Sequence, residues 1–193
     1  MILFSSVKAQ EKQDSLKVRT NPIVFGDINF GYAEGDIKGL TTGLSLNYQT
    51  QNHLFTFRSL QRYKVEKTEF IFIFPITIES SVFTEYSLLY GKRFIEDDFS
   101  YYFSGGISFN DFRRKNKDNK VIDKNNFIGF PLEIGFSWFK SKKEKYRVLY
   151  GLIPVGKPTS FGRSFGLKLY TNIAKNSYLG LGLTFGLGWH KKY

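Results

Sequence analysis

Leu179-Gly-Leu-Gly-Leu-Thr-Phe-Gly-Leu-Gly-Trp189-His-Lys-Lys-Tyr193 ends the chain, with a large apolar side chain at every odd position from 179 to 189 and Gly, Thr or His between them. Period two is the mark of a β-strand, whose successive side chains point to opposite faces. In a soluble sandwich the wet face would carry Lys, Glu or Thr. Here one face is wholly apolar and the other nearly bare, as in a bilayer-crossing strand with lipid outside and a narrow, crowded lumen inside.

The composition agrees once its distribution is considered. Mean hydropathy is −0.28, an ordinary value, yet the 193 residues include 21 Phe, 12 Tyr and 18 Gly and no Cys. No apolar run approaches the roughly 20 residues of a membrane helix, so a spanning chain must close as a barrel, which alone satisfies its backbone in lipid. The first ten residues resemble the end of a secretory signal, with Val7-Lys8-Ala9 in the small-x-small pattern of a cleavage site. The expected organisation is therefore a signal remnant over 1–10, a periplasmic tail over 11–21 and a barrel over 22–193.

Alternation recurs in eight segments: 22–33, 38–50, 53–64, 82–94, 98–110, 127–139, 161–172 and the last strand. The sixth is among the clearest, with Ile128, Phe130, Leu132, Ile134, Phe136 and Trp138 opposite Gly129, Pro131, Glu133, Gly135 and Ser137. Pro131 removes a ladder hydrogen bond and predicts a bulge or an unpaired carbonyl. The expected fold is an all-β, antiparallel, up-and-down transmembrane barrel of eight strands. Ten remain open, because Phe70–Ile78 is too apolar for a plain loop and the long 140–160 connection holds a second strand candidate at Tyr146–Ile153.

An even strand number puts both termini on one side, by convention the periplasm. Descending strands then end at Tyr48, Tyr90, Trp138 and Trp189, an interfacial aromatic girdle, while Leu181, Leu183 and Phe185 face lipid. Turns 49–52 and 95–98 are short, and 65–81 and 111–126 are long external loops.

The segments Tyr86-Ser-Leu-Leu-Tyr-Gly91, Gly129-Phe-Pro-Leu-Glu133 and Asn172-Ile-Ala-Lys-Asn-Ser-Tyr-Leu-Gly180, with Ala9-Gln10 at the cleavage-like site, resemble the small outer-membrane β-barrel proteins of Bacteroidetes-type bacteria. The resemblance covers most of 23–190 and implies the outer membrane of a Gram-negative cell. Its motifs build barrels and carry no activity, and the basic 140–160 insert departs from the short turn expected there.

The net charge of +11 sits largely in two stretches between strands. One carries Arg113, Arg114, Lys115, Lys117, Lys120 and Lys124, the other Lys140, Lys142, Lys143, Lys145 and Arg147. Nucleic-acid binding would need these cations mixed with exposed aromatics on one ordered surface, and no such module is present. The first stretch suits lipopolysaccharide phosphates, and the second a periplasmic partner or a larger outer-membrane complex.

Catalytic signals are poor. His53 and His190 both map to the periplasmic rim, whereas the barrels that modify lipid A resemble one another in carrying His and Ser near the outer leaflet. Gly151–Pro158 nearly spells a phosphate-binding loop, but Pro158 stands where Ser or Thr is needed and no helix pattern follows. No cofactor or metal set is expected. Alternation instead points Asp27, Glu85 and Glu133 inward with Arg58, Arg62 and Lys168, a set that is costly to enclose unless paired. The expected role is a non-enzymatic structural or interaction barrel; a lipid A-modifying enzyme, a small pore and a soluble lipocalin-like carrier are the alternatives.

Overall fold

The computed structural model describes residues 22–36, 38–71, 74–116, 120–140, 142, 144–149 and 152–192. Ten strands follow in order: β1 (Ile23–Gly35), β2 (Gly39–Thr50), β3 (His53–Ile71), β4 (Phe74–Glu96), β5 (Phe99–Lys115), β6 (Val121–Phe139), β7 (Glu144–Val148), β8 (Ile153–Thr159), β9 (Phe161–Ile173) and β10 (Tyr178–Trp189). Eight of them form a closed antiparallel barrel in the order β1-β10-β9-β6-β5-β4-β3-β2, and β7 and β8 make a separate two-stranded sheet. The eight-strand expectation holds for the barrel, and the further candidate at 146–153 is a hairpin outside it.

Closure runs along almost the whole of β1, from Val24 paired with Trp189 to Gly35 paired with Tyr178. It sorts every wall residue by parity. On β10 burial alternates from Tyr178 to Gly188, the apolar odd residues facing out and the small even ones in. β2 alternates likewise, with Leu40, Leu44, Leu46 and Tyr48 exposed. From Leu179 to Trp189 the outer apolar band is about 25 Å tall, at ~3.3 Å per residue and a strand tilt of ~40°.

The two ends differ. Turns at Gln51–Asn52 and Asp97–Asp98 are tight, with φ of 53° at Gln51 and 42° at Asp97, the backbone that short hairpin turns require. The stretches expected as long loops at the other end are instead largely strand. β3 and β4 stay paired to Ile71–Phe74, and β5 and β6 to Lys115–Val121. Each hairpin ladder continues past the last residue paired to β2 or β9, so two arms of one sheet rise from that end. At Pro131 the ladder to β5 lapses without a bulge, with no pairing to β6 at Gly106 or Ile107 opposite it. Gly105 pairs Leu132 and Ser108 pairs Gly129, so the register is unshifted across the proline.

A band of rings circles the tight-turn end. Tyr48 lies against Phe55, Phe55 against Tyr90, Phe99 against Trp138, Trp138 against Phe165, and Phe161 against Trp189. Inside, large rings occupy the room left by glycine. A Cβ on Gly180 would lie 2.4 Å from the Tyr170 ring, and one on Gly135 2.2 Å from the Tyr102 ring. Tyr170 thus packs on β10 and Tyr102 on β6.

Gly135→Val or Gly180→Val should therefore destabilise the barrel by about 1–3 kcal/mol through overpacking. Gly162→Ala, where a Cβ meets nothing within 4 Å, should be near neutral. The temperature at which the folded band disappears on a semi-native gel measures all three.

Candidate functional site

The lumen is where the inward residues of eight strands meet. Closure removes them from solvent, so their charges must satisfy one another. Arg58 of β3 is the bridge: Nη2 donates to Glu85 Oε1 at 2.5 Å and Nη1 to Glu133 Oε2 at 2.5 Å. All three side chains are buried. Glu85 also accepts from Ser87 Oγ, Tyr178 OH and Asn172 Nδ2. Glu133 accepts from Tyr102 OH at 2.6 Å and lies 3.2 Å from Lys168 Nζ.

Lys168 continues the chain of contacts to β1. Its Nζ donates to Asp27 Oδ1 at 3.0 Å and to Ser45 Oγ at 3.3 Å. Asn47 Nδ2 donates to Asp27 Oδ2 at 2.7 Å and is held from its other side by Thr56. Five of the six charges singled out in the sequence thus form one connected network, Asp27–Lys168–Glu133–Arg58–Glu85. A carboxylate with several donors on it offsets much of its desolvation, as a bare ion pair does not.

Arg62, the sixth, is sandwiched between two rings. Its guanidinium carbon lies 4.3 Å from the Phe83 centroid and 3.9 Å from that of Tyr178, a cation–π seat. A matching seat at the tight-turn end was missed from the sequence. Arg93 lies 4.7 Å from the Phe25 centroid and donates to Ser100 Oγ, Gln49 Oε1 and the His190 carbonyl. Its signal was present in parity, since 93 falls on the same face of β4 as Glu85 and Gly91. Asn172 and Tyr178 were missed for another reason, as polar or aromatic residues near a strand end.

The histidines occupy different environments. His53 Nδ1 shares a 2.6 Å hydrogen bond with Tyr90 OH on the outer girdle. His190, one residue past β10, is instead buried inside the mouth between Phe25 and Phe139, at the same tight-turn end. Closure carries the even-parity face of β10 inward, and His190 shares that parity. Burial and then the Arg93 charge push its imidazole down to about 4.

The two basic stretches lie at opposite ends. Arg113, Arg114, Lys115, Lys120 and Lys124 belong to the β5–β6 arm, where Arg113 pairs Asp111 at 2.6 Å and Arg114 reaches Asp123 at 3.5 Å. Lys142 and Lys145 lie exposed at the base of the β7–β8 hairpin. Lys117 and Lys143 fall outside the described residues. Among those described, no group of three His, Cys, Asp or Glu is placed to hold a metal ion.

No protein-family model matches the chain, and no curated protein sequence matches it. Solved structures do. Ail, the attachment invasion locus protein of Yersinia pestis, superposes with a TM-score of 0.52 at 9% identity, covering 89% of this chain and 97% of Ail. A second Ail structure, in complex with the heparin analogue sucrose octasulfate, gives 0.52 and 9% with 91% and 99% covered. Neisserial surface protein A gives 0.50 and 16% with 86% and 95% covered. At such identities the likeness is one of fold.

Arg58→Met should cost about 3–5 kcal/mol, because it leaves two buried carboxylates without their shared cation. Adding Glu85→Gln and Glu133→Gln to it should recover part of that loss, as read by urea unfolding in detergent micelles. For His190 the folded value lies below the unfolded 6.5, so its neutral burial is without penalty above pH 6.5. Stability falls as the pH drops from 6.5 towards 4, by up to ~3 kcal/mol. His190→Phe should flatten that part of the stability profile.

Proposed function

We propose that this chain is a non-enzymatic outer-membrane β-barrel of the small kind found in Bacteroidetes-type bacteria, with a structural or interaction role. The observation that carries the reading is the inversion of its surface. Leu40, Leu44, Leu88, Ile107, Ile128 and Leu181 are among the large apolar side chains exposed all round the wall, while arginine, lysine and glutamate are buried within. Soluble monomers rarely expose contiguous apolar patches beyond a few hundred Å², and a barrel in lipid requires the opposite arrangement of faces.

On this reading residues 11–21 are a periplasmic tail. The β3–β6 arms stand outside the cell, and the tight turns, the termini and the β7–β8 hairpin are periplasmic. Arg113, Arg114, Lys115, Lys117 and Lys124 then offer cations to lipopolysaccharide phosphates, where charge-assisted bonds are strongest. Ail, a barrel of this fold, has been crystallised with a polysulfated sugar; polyanion contact is assigned here from this chain's own charges. Lys142 and Lys143 offer cations to anionic groups on the periplasmic side. Both histidines lie at the tight-turn end, away from the outer leaflet, which disfavours a histidine-dependent lipid A enzyme.

Cysteine labelling of intact cells tests the orientation, since the native chain has no Cys. Lys120→Cys should react with an impermeant maleimide on whole cells, and Lys142→Cys only after permeabilisation. Equal labelling of both on intact cells would overturn the assignment of sides. A protein that stays monodisperse without detergent would overturn the membrane reading itself.

A further inference from the structure

We infer that the β7–β8 hairpin is a lipid anchor: its apolar turn enters the leaflet on the side of the termini while the lysines at its base hold anionic phospholipid headgroups. The inference rests on the membrane reading above. The barrel does not need this hairpin for closure, since β6 pairs directly with β9, Phe130 to Ile173 through Phe139 to Ser164. A separate reason must therefore account for the 21 residues from 140 to 160.

The hairpin is polarised along its length. Lys140, Lys142, Lys143, Lys145 and Arg147 crowd its first half, and no charge occurs from Val148 to Val155. The turn is closed by the Leu152 amide donating to the Leu149 carbonyl at 3.1 Å, with Leu149 at φ 48°. That conformation suits Gly, Asn or Asp, which also hydrate well at an exposed turn. Leucine occupies it instead, 63% exposed, and Leu152 at 79% is the most exposed large apolar side chain among the described residues. Ile153 and Val155 are also exposed. A two-stranded ribbon is marginal in water even with a polar turn, so this turn is built for an apolar surrounding.

Its root says which surrounding. Trp138, next to last in β6 before the hairpin, and Phe161, the first residue after it, both belong to the aromatic girdle, through Phe99 and Trp189. The hairpin therefore leaves and rejoins the wall where the bilayer meets water. The exposed Lys142 and Lys145 then lie near the height of lipid phosphates, and apolar groups beside basic ones fit an interfacial anchor. The ladder irregularity between Glu144 and Tyr146 and the φ of 73° at Gly156 fall where the basic base gives way to the apolar turn, a place for the ribbon to bend back. A protein partner would be expected to use a broader face than four side chains at a tip.

The test uses the full chain in two sets of vesicles, phosphatidylcholine alone or mixed with phosphatidylglycerol. Leu152→Cys carries an environment-sensitive NBD label, and doxyl-labelled lipid reports contact with acyl chains. Leu183→Cys, on the wall, is labelled in parallel, so that failure of barrel insertion is seen separately. The expected result is strong doxyl quenching at both positions in phosphatidylglycerol vesicles. Quenching at 152 should fall markedly in phosphatidylcholine, in high salt, or after Lys140→Gln, Lys142→Gln and Lys145→Gln, with 183 unchanged. A label at 152 that stays in water while 183 is quenched would overturn the anchor and leave the tip to a protein partner. Equal quenching at 152 in both lipids would overturn the headgroup assignment.

Discussion

Closure of β1 on β10 is the contact on which the rest depends. An open eight-stranded sheet would leave two edges of unpaired backbone and two solvated faces. Pairing Val24–Gly35 with Tyr178–Trp189 removes both edges and encloses one face. Every inward side chain then has only other inward side chains to meet. The buried network follows as a necessity: with Asp27, Glu85, Glu133, Arg58 and Lys168 in one narrow space, a gap in the pairing would cost more than an unpaired surface charge.

Parity was the legible part of the sequence. Because side chains alternate strictly, knowing that Leu183 faces out fixes Gly182 and Thr184 inward, and the same logic turned Asp27, Arg58, Glu85, Glu133 and Lys168 inward. Parity says nothing about height. Which inward groups touch across the lumen depends on the stagger between strands, and so Arg58 joining Glu85 to Glu133 was not readable, nor was Tyr102 lying against Gly135. Arg93 and His190 were obscured by position. Both lie close to strand ends, where the alternation that reveals parity runs out.

The arms and the hairpin show a second limit. Strand patterns are recognised by one face being apolar, a signal that exists only where a bilayer or a core imposes it. In β6, Val121–Phe127 is strand by pairing with β5, yet Asp123, Lys124, Asn125 and Asn126 read as loop. The backbone ladder is cheap to extend from an existing hairpin, since each further pair adds hydrogen bonds without a new loop to close. Polar strand beyond the rim is therefore sheet by continuity.

Charge is divided in a way that follows from these constraints. Inside, four described cations, Arg58, Arg62, Arg93 and Lys168, are buried with the carboxylates of Asp27, Glu85 and Glu133, and Arg62 and Arg93 lie over aromatic rings. Guanidinium is suited to this, being planar and weakly hydrated, where ammonium would hold its water more tightly. Lys168 accordingly sits at the centre, between Asp27 and Glu133, and arginines occupy the aromatic seats at either end. Placing cations on Phe and Tyr faces helps a narrow barrel hold them. It also leaves the remaining basic residues for the two ends, where the arms and the hairpin meet whatever anions the surroundings provide.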